Sequence, residues 1–177
     1  MASPTAPIPH RPIESYLASI ENLLREIIRA GKFELSFSVH KSGAEAADFE
    51  APEFIVEFTG PDSDLLLEKN GVVLDALESV ILKAVRLDEE LFGKIAFDCK
   101  DWRRLRAEEL RMIAQMAAER ALETGDPFAL NPMTPRERRI VHLVLRDLSN
   151  VRTESEGRGP DRRVVIHPAS PPGRPRR

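Results

Sequence analysis

PMTPRERRIVH, at residues 132–142, contains the sharpest helix start in the chain. Thr134 and Glu137 have the spacing of a capping box, in which each side chain accepts a hydrogen bond from the other residue's backbone N–H. Pro135 stands at the first helical position, where its missing N–H is not needed. Apolar residues continue at helical spacing to Leu148, so we predict a helix from Pro135 to about Leu148 with one buried face.

Arg138 and His142 lie four residues apart in this predicted helix, with Arg146 one turn further. Residues at this spacing share a helix face. Arginine suits bidentate contact with phosphate, and histidine can donate to a phosphate oxygen or stack on a base. The pattern is equally typical of a solvated helix face, and the residues alone leave both interpretations open.

The rest of the chain alternates between helical and strand periodicity, which predicts an α+β fold. Helices are expected at 13–30, 64–68, 72–87 and 102–124, and strands at 32–40, 54–58, 94–99, 151–155 and 163–166. For the long helix at 102–124 we expect these residues to point inward: Leu105, Leu110, Ile113, Met116, Ala117 and Leu122. The predicted organisation is a Pro-rich disordered leader (1–12), a first domain (13–100), a second domain (101–167) and a disordered Pro/Arg tail (168–177).

A loop of four residues, Glu68 to Gly71, separates a short helix of the first domain from the longer helix that follows it. Gly71 would let a nucleic-acid backbone approach the start of the following helix, with Lys69 and Asn70 as neighbouring contacts. Glu68 places a negative charge where phosphate would lie. A plain helix-to-helix link is the alternative interpretation.

Charge is distributed unevenly along the chain, although the net charge is only −3. From Ala129 to the end there are 11 arginines and 5 acidic residues, whereas the preceding part holds 15 basic and 24 acidic residues. This asymmetry indicates a basic C-terminal module that attracts phosphates. The candidate contacts there are Arg138, Arg139, His142, Arg146, Arg152, Arg162 and Arg163.

No pattern of catalytic or cofactor-binding residues is found in the sequence. The single cysteine, Cys99, cannot form an intramolecular disulfide, and the four histidines have no metal-ligand spacing. There is no phosphate-binding P-loop and no nucleophile elbow. We therefore expect no enzyme activity, no cofactor and no metal. With neither a signal peptide nor a run of about 20 apolar residues, a cytoplasmic location without membrane insertion is expected.

The segments described above resemble those of the Jag family, the SpoIIIJ-associated proteins also called KhpB or EloR. Residues 132–142 resemble the RxxxH motif, and residues 151–157 with 160–166 are similar to the end of the RxxxH domain in that family. Residues 71–77 resemble its KH segment, and the predicted element order is that of a type II KH fold (αββααβ). The resemblance covers about residues 13–167.

The resemblance implies a bacterial cytoplasmic protein that binds RNA or single-stranded nucleic acid and is linked to control of cell elongation, division and shape. The arginine and histidine of the motif correspond to Arg138 and His142, and the backbone-clamping loop corresponds to Glu68 through Gly71. Glu68 replaces the usual first glycine of that loop, and the family's N-terminal Jag domain is not found before residue 13. An alternative function is therefore an adaptor whose KH half dimerises or pairs with another KH protein.

Overall fold

A computed structural model describes residues 11–43 and 52–169 of the chain. The described residues form four α-helices and six strands in two compact units, which divide between Trp102 and Arg103. The predicted α+β class is confirmed. Of the predicted leader and tail, residues 1–10 and 170–177 lie outside the described part, while Pro168 belongs to the last strand rather than to a tail.

The first unit has the element order helix, strand, strand, interrupted helix, strand, which is consistent with a KH-like domain. Its strands form one sheet in the order β1-β2-β3, with β1 and β2 antiparallel and β2 and β3 parallel. The elements are α1 (Glu14–Gly31), β1 (Ser36–Lys41), β2 (Phe54–Thr59), α2 (Ser63–Ala84) and β3 (Ile95–Cys99). One face of the sheet and the inner faces of the helices close an aliphatic and phenylalanine core that includes Phe58, Phe97, Ile20 and Leu74.

The first strand starts later than its alternating sequence predicts. Lys32 takes the left-handed conformation (φ 54°) that ends α1, and the N–H of Phe33 donates to the carbonyl of Ile28 at 3.1 Å. The residues after Gly31 are therefore used to cap the helix before the chain can extend, since the last carbonyls of a helix need donors. Strand β1 begins at Ser36.

The second unit packs two helices against one face of a small antiparallel sheet with the order β4-β6-β5. Its elements, counting from the helix that begins at the boundary, are α3 (Trp102–Thr124), β4 (Phe128–Ala129), α4 (Pro135–Leu145), β5 (Val151–Glu156) and β6 (Arg163–Pro168). Strand β4 lies in a segment for which no strand was predicted. It forms because Phe128 and Ala129 pair with Ile166 and Val165 of β6.

Alanines, rather than the predicted large residues, line most of the buried face of α3. Leu105, Met116 and Leu122 are exposed by 48%, 68% and 38%, so the prediction that they point inward is wrong. The buried positions are Ala107, Leu110, Ala114, Ala117, Ala118 and Ala121. Small side chains let a helix approach its neighbours closely, so this face of α3 can pack tightly without large side chains. Neither α3 nor any other helix within residues 11–43 and 52–169 is long and apolar enough to cross a bilayer.

Candidate nucleic-acid interface

Helix α4 begins with the capping box that its sequence predicts. Thr134 Oγ1 accepts from the N–H of Glu137 at 3.3 Å, and Glu137 Oε2 accepts from the N–H of Thr134 at 2.8 Å. Two backbone donors that have no partner within the helix are thereby satisfied. The helix ends at Leu145, one turn before the predicted end, and Leu148 lies beyond it with 42% of its surface exposed.

Arg138 is held against the turn that precedes α4. Its guanidinium donates to the carbonyl of Met133 at 2.9 Å, and its side chain is half-buried. The N–H of Met133 in turn donates to the carbonyl of Arg162 at 3.1 Å, which ties this turn to the start of β6. Because a guanidinium has five N–H donors, one bond to Met133 orients the group and leaves further donors for a ligand.

His142 is seated on strand β5 with both ring nitrogens engaged. Nδ1 lies 2.7 Å from Thr153 Oγ1, and Nε2 lies 2.9 Å from Ser155 Oγ. Burial, and secondly the positive charge of Arg138, lower the pKa of His142 from the ordinary value of 6.5. In the neutral ring that this favours, one nitrogen donates and the other accepts, so one hydroxyl accepts from the ring and the other donates to it.

Thr153 and Ser155 were not among the candidate residues identified from the sequence. They alternate along β5, so both hydroxyls point to the side of the sheet that carries α4. The available signal was the pair of hydroxyls two residues apart on a strand that follows the motif helix. The hydroxyl that accepts from the ring keeps its O–H free to donate to a phosphate oxygen, so one of the two adds a donor to the polar surface around Arg138 and His142.

Two further predicted arginines lie on or beside α4. Arg139 is exposed in the helix next to Arg138, and Arg146 is exposed at its C-cap. Arg146 Nε lies 3.1 Å from Asp147 Oδ1, so part of its charge is compensated locally. The structure therefore brings Arg138, Arg139, His142 and Arg146 together on one helix.

Arg152 and Arg163 lie on the opposite face of the sheet from α4. Arg152 precedes Thr153 in β5, and neighbouring residues of a strand point to opposite faces. Arg163 lies directly opposite Glu156 in the register of β5 and β6, which puts it on the same face of the sheet as Arg152. Arg152 also forms a 2.7 Å ion pair with Glu154. Arg162 is exposed just before β6, at the end of the central strand of the sheet. The predicted basic patch is thus divided between two surfaces.

A histidine and two glutamates converge on this opposite sheet face, which the sequence did not indicate. His167 Nε2 lies 3.7 Å from Glu154 Oε2 and 3.8 Å from Glu156 Oε1. These three side chains could each offer one atom to a metal ion, and the three atoms lie within 4.8 Å of one another. Among residues 11–43 and 52–169, no other group of three such side chains was found. Both carboxylates are exposed, and Glu154 is also paired with Arg152, whereas His167 Nε2 is buried and forms no hydrogen bond within the described residues.

The loop in α2 has an unusual backbone. Lys69, Asn70 and Gly71 have φ angles of 51°, 62° and 75°, three successive residues in the left-handed region, while Glu68 is extended. For a residue with a Cβ this conformation costs roughly 1–2 kcal/mol. The side chains of Glu68, Lys69 and Asn70 are exposed, as a loop that contacts a ligand requires.

Gly71 differs from its neighbours because it is buried beneath Trp102. A Cβ on Gly71 would lie 2.3 Å from Trp102 Nε1, well inside contact distance. The missing side chain of Gly71 therefore makes room for the indole. The expectation that this glycine lets a nucleic-acid backbone approach needs this correction: the space above its Cα is already filled.

Exposed aliphatic residues surround the same loop. Leu65 precedes it and Val72 and Val73 follow it, with 43%, 52% and 42% of their surfaces exposed. Single exposed aliphatic residues are ordinary on protein surfaces, whereas a group of them often marks a contact surface. This surface combines apolar side chains with the charges of Glu68 and Lys69.

Comparison with known proteins adds a domain family and several relatives. Residues 108–168 match the family of RxxxH domains, which are named for an arginine and a histidine separated by three residues. The chain is 32% identical over 114 residues to the RNA-binding protein KhpB of Clostridium symbiosum, covering 64% of this chain and 51% of that protein. It is 33% identical over 110 residues to the KhpB of Bacillus subtilis strain 168, covering 61% and 53%. It is 36% identical over 97 residues to the KhpB of Streptococcus pneumoniae D39, and this match covers 55% of this chain and 30% of that protein.

The chain spans about half the length of the first two of these relatives and less of the third. The matched domain contains α4, β5 and β6 and most of α3, so Arg138, His142, Thr153 and Ser155 all lie inside it. The resemblance inferred from the sequence is confirmed for the RxxxH domain, which the chain contains, and the chain is similar to RNA-binding proteins named KhpB.

Proposed function

We propose that this protein binds single-stranded RNA through the surface formed by α4 and β5, which we call the α4 surface (Arg138, Arg139, His142, Arg146, Thr153 and Ser155). The proposal depends mainly on one observation: both ring nitrogens of His142 lie at hydrogen-bond distance from the hydroxyls of Thr153 and Ser155, beside Arg138. Three relatives are named as RNA-binding proteins, which supports RNA over other anions as the ligand.

The chemistry of the α4 surface suits a phosphodiester backbone with an adjacent base. Arg138 supplies charge and directed donors, and the hydroxyl that accepts from the His142 ring supplies a neutral donor. His142 acts mainly by orienting those hydroxyls, since both of its nitrogens are already engaged, and its ring offers a face for stacking. Arg139 and Arg146 add charge at the edge of the surface.

The other predicted residues contribute more weakly in this proposal. Arg152 and Arg163 add long-range attraction from the far face of the sheet, and Arg162 adds it from the end of the central strand. Lys69 and Asn70 form a second, minor contact in the first unit through their exposed side chains, whereas Gly71 lies beneath Trp102 and contributes no contact. Binding, rather than a catalytic step, is the activity we propose, in the bacterial cytoplasm. A role in cell elongation or division stays a prediction.

The decisive experiment measures fluorescence anisotropy of short single-stranded RNA and DNA against the full chain over a salt series. The double substitution Arg138→Ala, His142→Ala is expected to weaken RNA binding by about tenfold or more, the loss that corresponds to charge-assisted hydrogen bonds. The slope of log affinity against log salt should fall by about 0.7 for each phosphate contact removed.

The matched control is Arg120→Ala, which removes an exposed arginine from α3 in the same unit, where it pairs with Glu123. It should leave both affinity and slope nearly unchanged. Circular dichroism establishes that the variants fold, and Arg138→Gln alone serves if the double variant does not. If the wild type fails to bind RNA at low salt, or the double variant binds as well as the control, the proposal is wrong.

An interaction adaptor is the second candidate function, favoured by the exposed aliphatic residues around the α2 loop. Leu65, Val72 and Val73 would contact a second copy or another KH protein, with Glu68 repelling RNA phosphates from the loop. Trp102, the single tryptophan, packs on Gly71 and reports on this loop. Under the adaptor function RNA leaves the emission of Trp102 unchanged, and Glu68→Gly brings no gain in RNA affinity. A spectral change with RNA, or a clear gain in affinity, would instead mean that the loop lies in the RNA-binding path.

A further inference from the structure

Arg106, on α3, contacts the first turn of α4 from across the second unit. Its Nε donates to Glu137 Oε1 at 2.6 Å, and its guanidinium also donates to Glu109 Oε2 at 2.6 Å. The side chains of Arg106 and Glu137 are each only 14% exposed, whereas Glu109 is 50% exposed. The bond to Glu137 is therefore the sheltered one, where solvent screening is least.

Glu137 uses its two carboxylate oxygens for different partners. Oε2 accepts from the N–H of Thr134 as part of the capping box, and Oε1 accepts from Arg106. The carboxylate is thus held at both oxygens, and with it the first turn of α4. The next residue is Arg138, whose N–H donates to the carbonyl of Thr134 and whose guanidinium donates to that of Met133.

The guanidinium of Arg106 remains charged in this setting. Burial alone lowers its pKa, but the hydrogen bonds to Glu137 and Glu109 outweigh burial, and the pKa is raised. Removing Arg106 would leave the sheltered carboxylate of Glu137 without its positive partner, and removing Glu137 would leave Arg106 with only the more exposed Glu109. The pair was not visible in the sequence, since 31 residues separate its members.

We propose that Arg106 is a positioning residue for nucleic-acid binding: by holding Glu137 it sets the place and direction in which Arg138 presents its guanidinium on the α4 surface. The inference rests on the proposed function, because it concerns how Arg138 reaches its ligand. Arg106 itself is turned toward Glu137 and Glu109 and makes no contact with RNA in this proposal. Arg106 affects binding indirectly, because it holds the carboxylate of Glu137 and thereby the first turn of α4, where Arg138 lies.

Two substitutions remove the ion pair from opposite sides while keeping the helix cap. Glu137→Gln keeps an amide oxygen that can accept from Thr134, since glutamine also serves in capping boxes. Arg106→Met keeps the length of an unbranched side chain without the charge. Each should weaken single-stranded RNA binding about fivefold, the factor that corresponds to one net hydrogen bond. Arg120→Met is the control, because it removes an exposed arginine of the same helix.

The salt dependence separates positioning from direct contact. A positioning role predicts that Arg106→Met and Glu137→Gln lower the affinity but leave the slope of log affinity against log salt at its wild-type value. A direct phosphate contact by Arg106 would lower the slope in Arg106→Met and leave Glu137→Gln with wild-type affinity, and that result would overturn the proposal. Arg106→Lys, which keeps the charge, should recover part of the affinity.

A double-mutant cycle with Arg138→Ala separates positioning from a purely structural role. If Arg106 acts through Arg138, then Arg106→Met has little further effect on affinity once Arg138 is alanine. Equal effects in both backgrounds, or lower thermal stability with unchanged affinity at a temperature where both variants are folded, would mean that the pair only stabilises the unit. Failure of the proposed function is distinguishable, because Arg138→Ala would then itself bind RNA as the wild type does.

Discussion

The α2 loop and the start of α4 are both places where a helix begins beside a candidate RNA contact, but they are built differently. At α4 the chain enters the helix from an extended residue. The side chains of Thr134 and Glu137 each accept from the other residue's backbone N–H, and Arg106 donates to Glu137. At the α2 loop the chain turns through three left-handed residues, Lys69 to Gly71, and Trp102 covers the glycine. The start of α4 is organised by hydrogen bonds that side chains form with the backbone and with each other, and the α2 loop by backbone conformation and a packed indole.

This difference indicates which region can present charge precisely to a ligand. Arg138 and His142 are each held by a partner of known distance, so their geometry is set before any ligand arrives. Preorganised donors lose less conformational entropy on binding. Lys69 and Asn70 project from an exposed loop, and Glu68 beside them repels phosphate. The comparison therefore favours the α4 surface as the principal contact.

The largest effect that sharpens this comparison is expected at Gly71. Gly71→Ala adds a Cβ 2.3 Å from Trp102 Nε1 at a φ of 75°. Left-handed strain and overpacking together should lower the free energy of unfolding by about 3 kcal/mol. Urea unfolding followed by Trp102 fluorescence and circular dichroism measures it. Gly93→Ala is the control, because φ there is 89° but nothing lies within 4 Å, so only the strain remains. Equal losses in the two variants would show that the indole imposes no constraint.

A smaller effect is expected from the cap of α4. Thr134→Ala removes the Oγ1 that accepts from Glu137 and should cost about 1 kcal/mol of stability, the usual value of an N-cap. Thr134→Ser keeps the hydroxyl and should cost much less. Chemical denaturation compares the two, and hydrogen exchange of the first α4 amides shows whether the loss is local. Indistinguishable stability of the alanine and serine variants would count against side-chain control of this helix start.

A still smaller effect concerns the protonation of His142. Its pKa is lowered by burial and by Arg138, so between that lowered pKa and 6.5 the unfolded chain binds more protons than the folded unit. The stability contributed by neutral His142 is therefore complete above pH 6.5 and is lost as the pH falls through the folded-state pKa. An NMR titration of the imidazole checks the direction, and Arg138→Met should raise the pKa part of the way. A pKa at or above the ordinary one would mean that the ring is more solvated than the structure shows.

The smallest effect is expected on the far face of the sheet. Arg152→Gln and Arg163→Gln should each change RNA affinity by no more than about twofold, since a charge at the rim contributes little to affinity. Arg138→Gln should have a distinctly larger effect in the same anisotropy assay. If the far-face variants lose as much affinity as Arg138→Gln, the ligand wraps both faces and the α4 surface is only part of the interface.

Local chemistry made much of the fold predictable. The capping box and Pro135 place the start of α4 within a few neighbouring residues, and the spacing of Arg138 and His142 puts them on one face without knowledge of any partner. The interruption in α2 was likewise expected from the polar residues before Gly71. Strand β1 began late because a helix cap competes with strand formation for the same residues, and the alternating pattern does not reveal that competition.

By itself the sequence determined the order of the elements, the start of α4 and the neighbourhood of Arg138 and His142, because each depends on interactions within a few residues. Only the tertiary structure decided that His142 rests on Thr153 and Ser155, that Arg152 and Arg163 face away from α4, and that Arg106 holds Glu137. It also decided that the buried face of α3 consists mostly of alanines. Each of these features depends on which face of an element packs against which neighbour, and that is decided by contacts between segments far apart in the sequence.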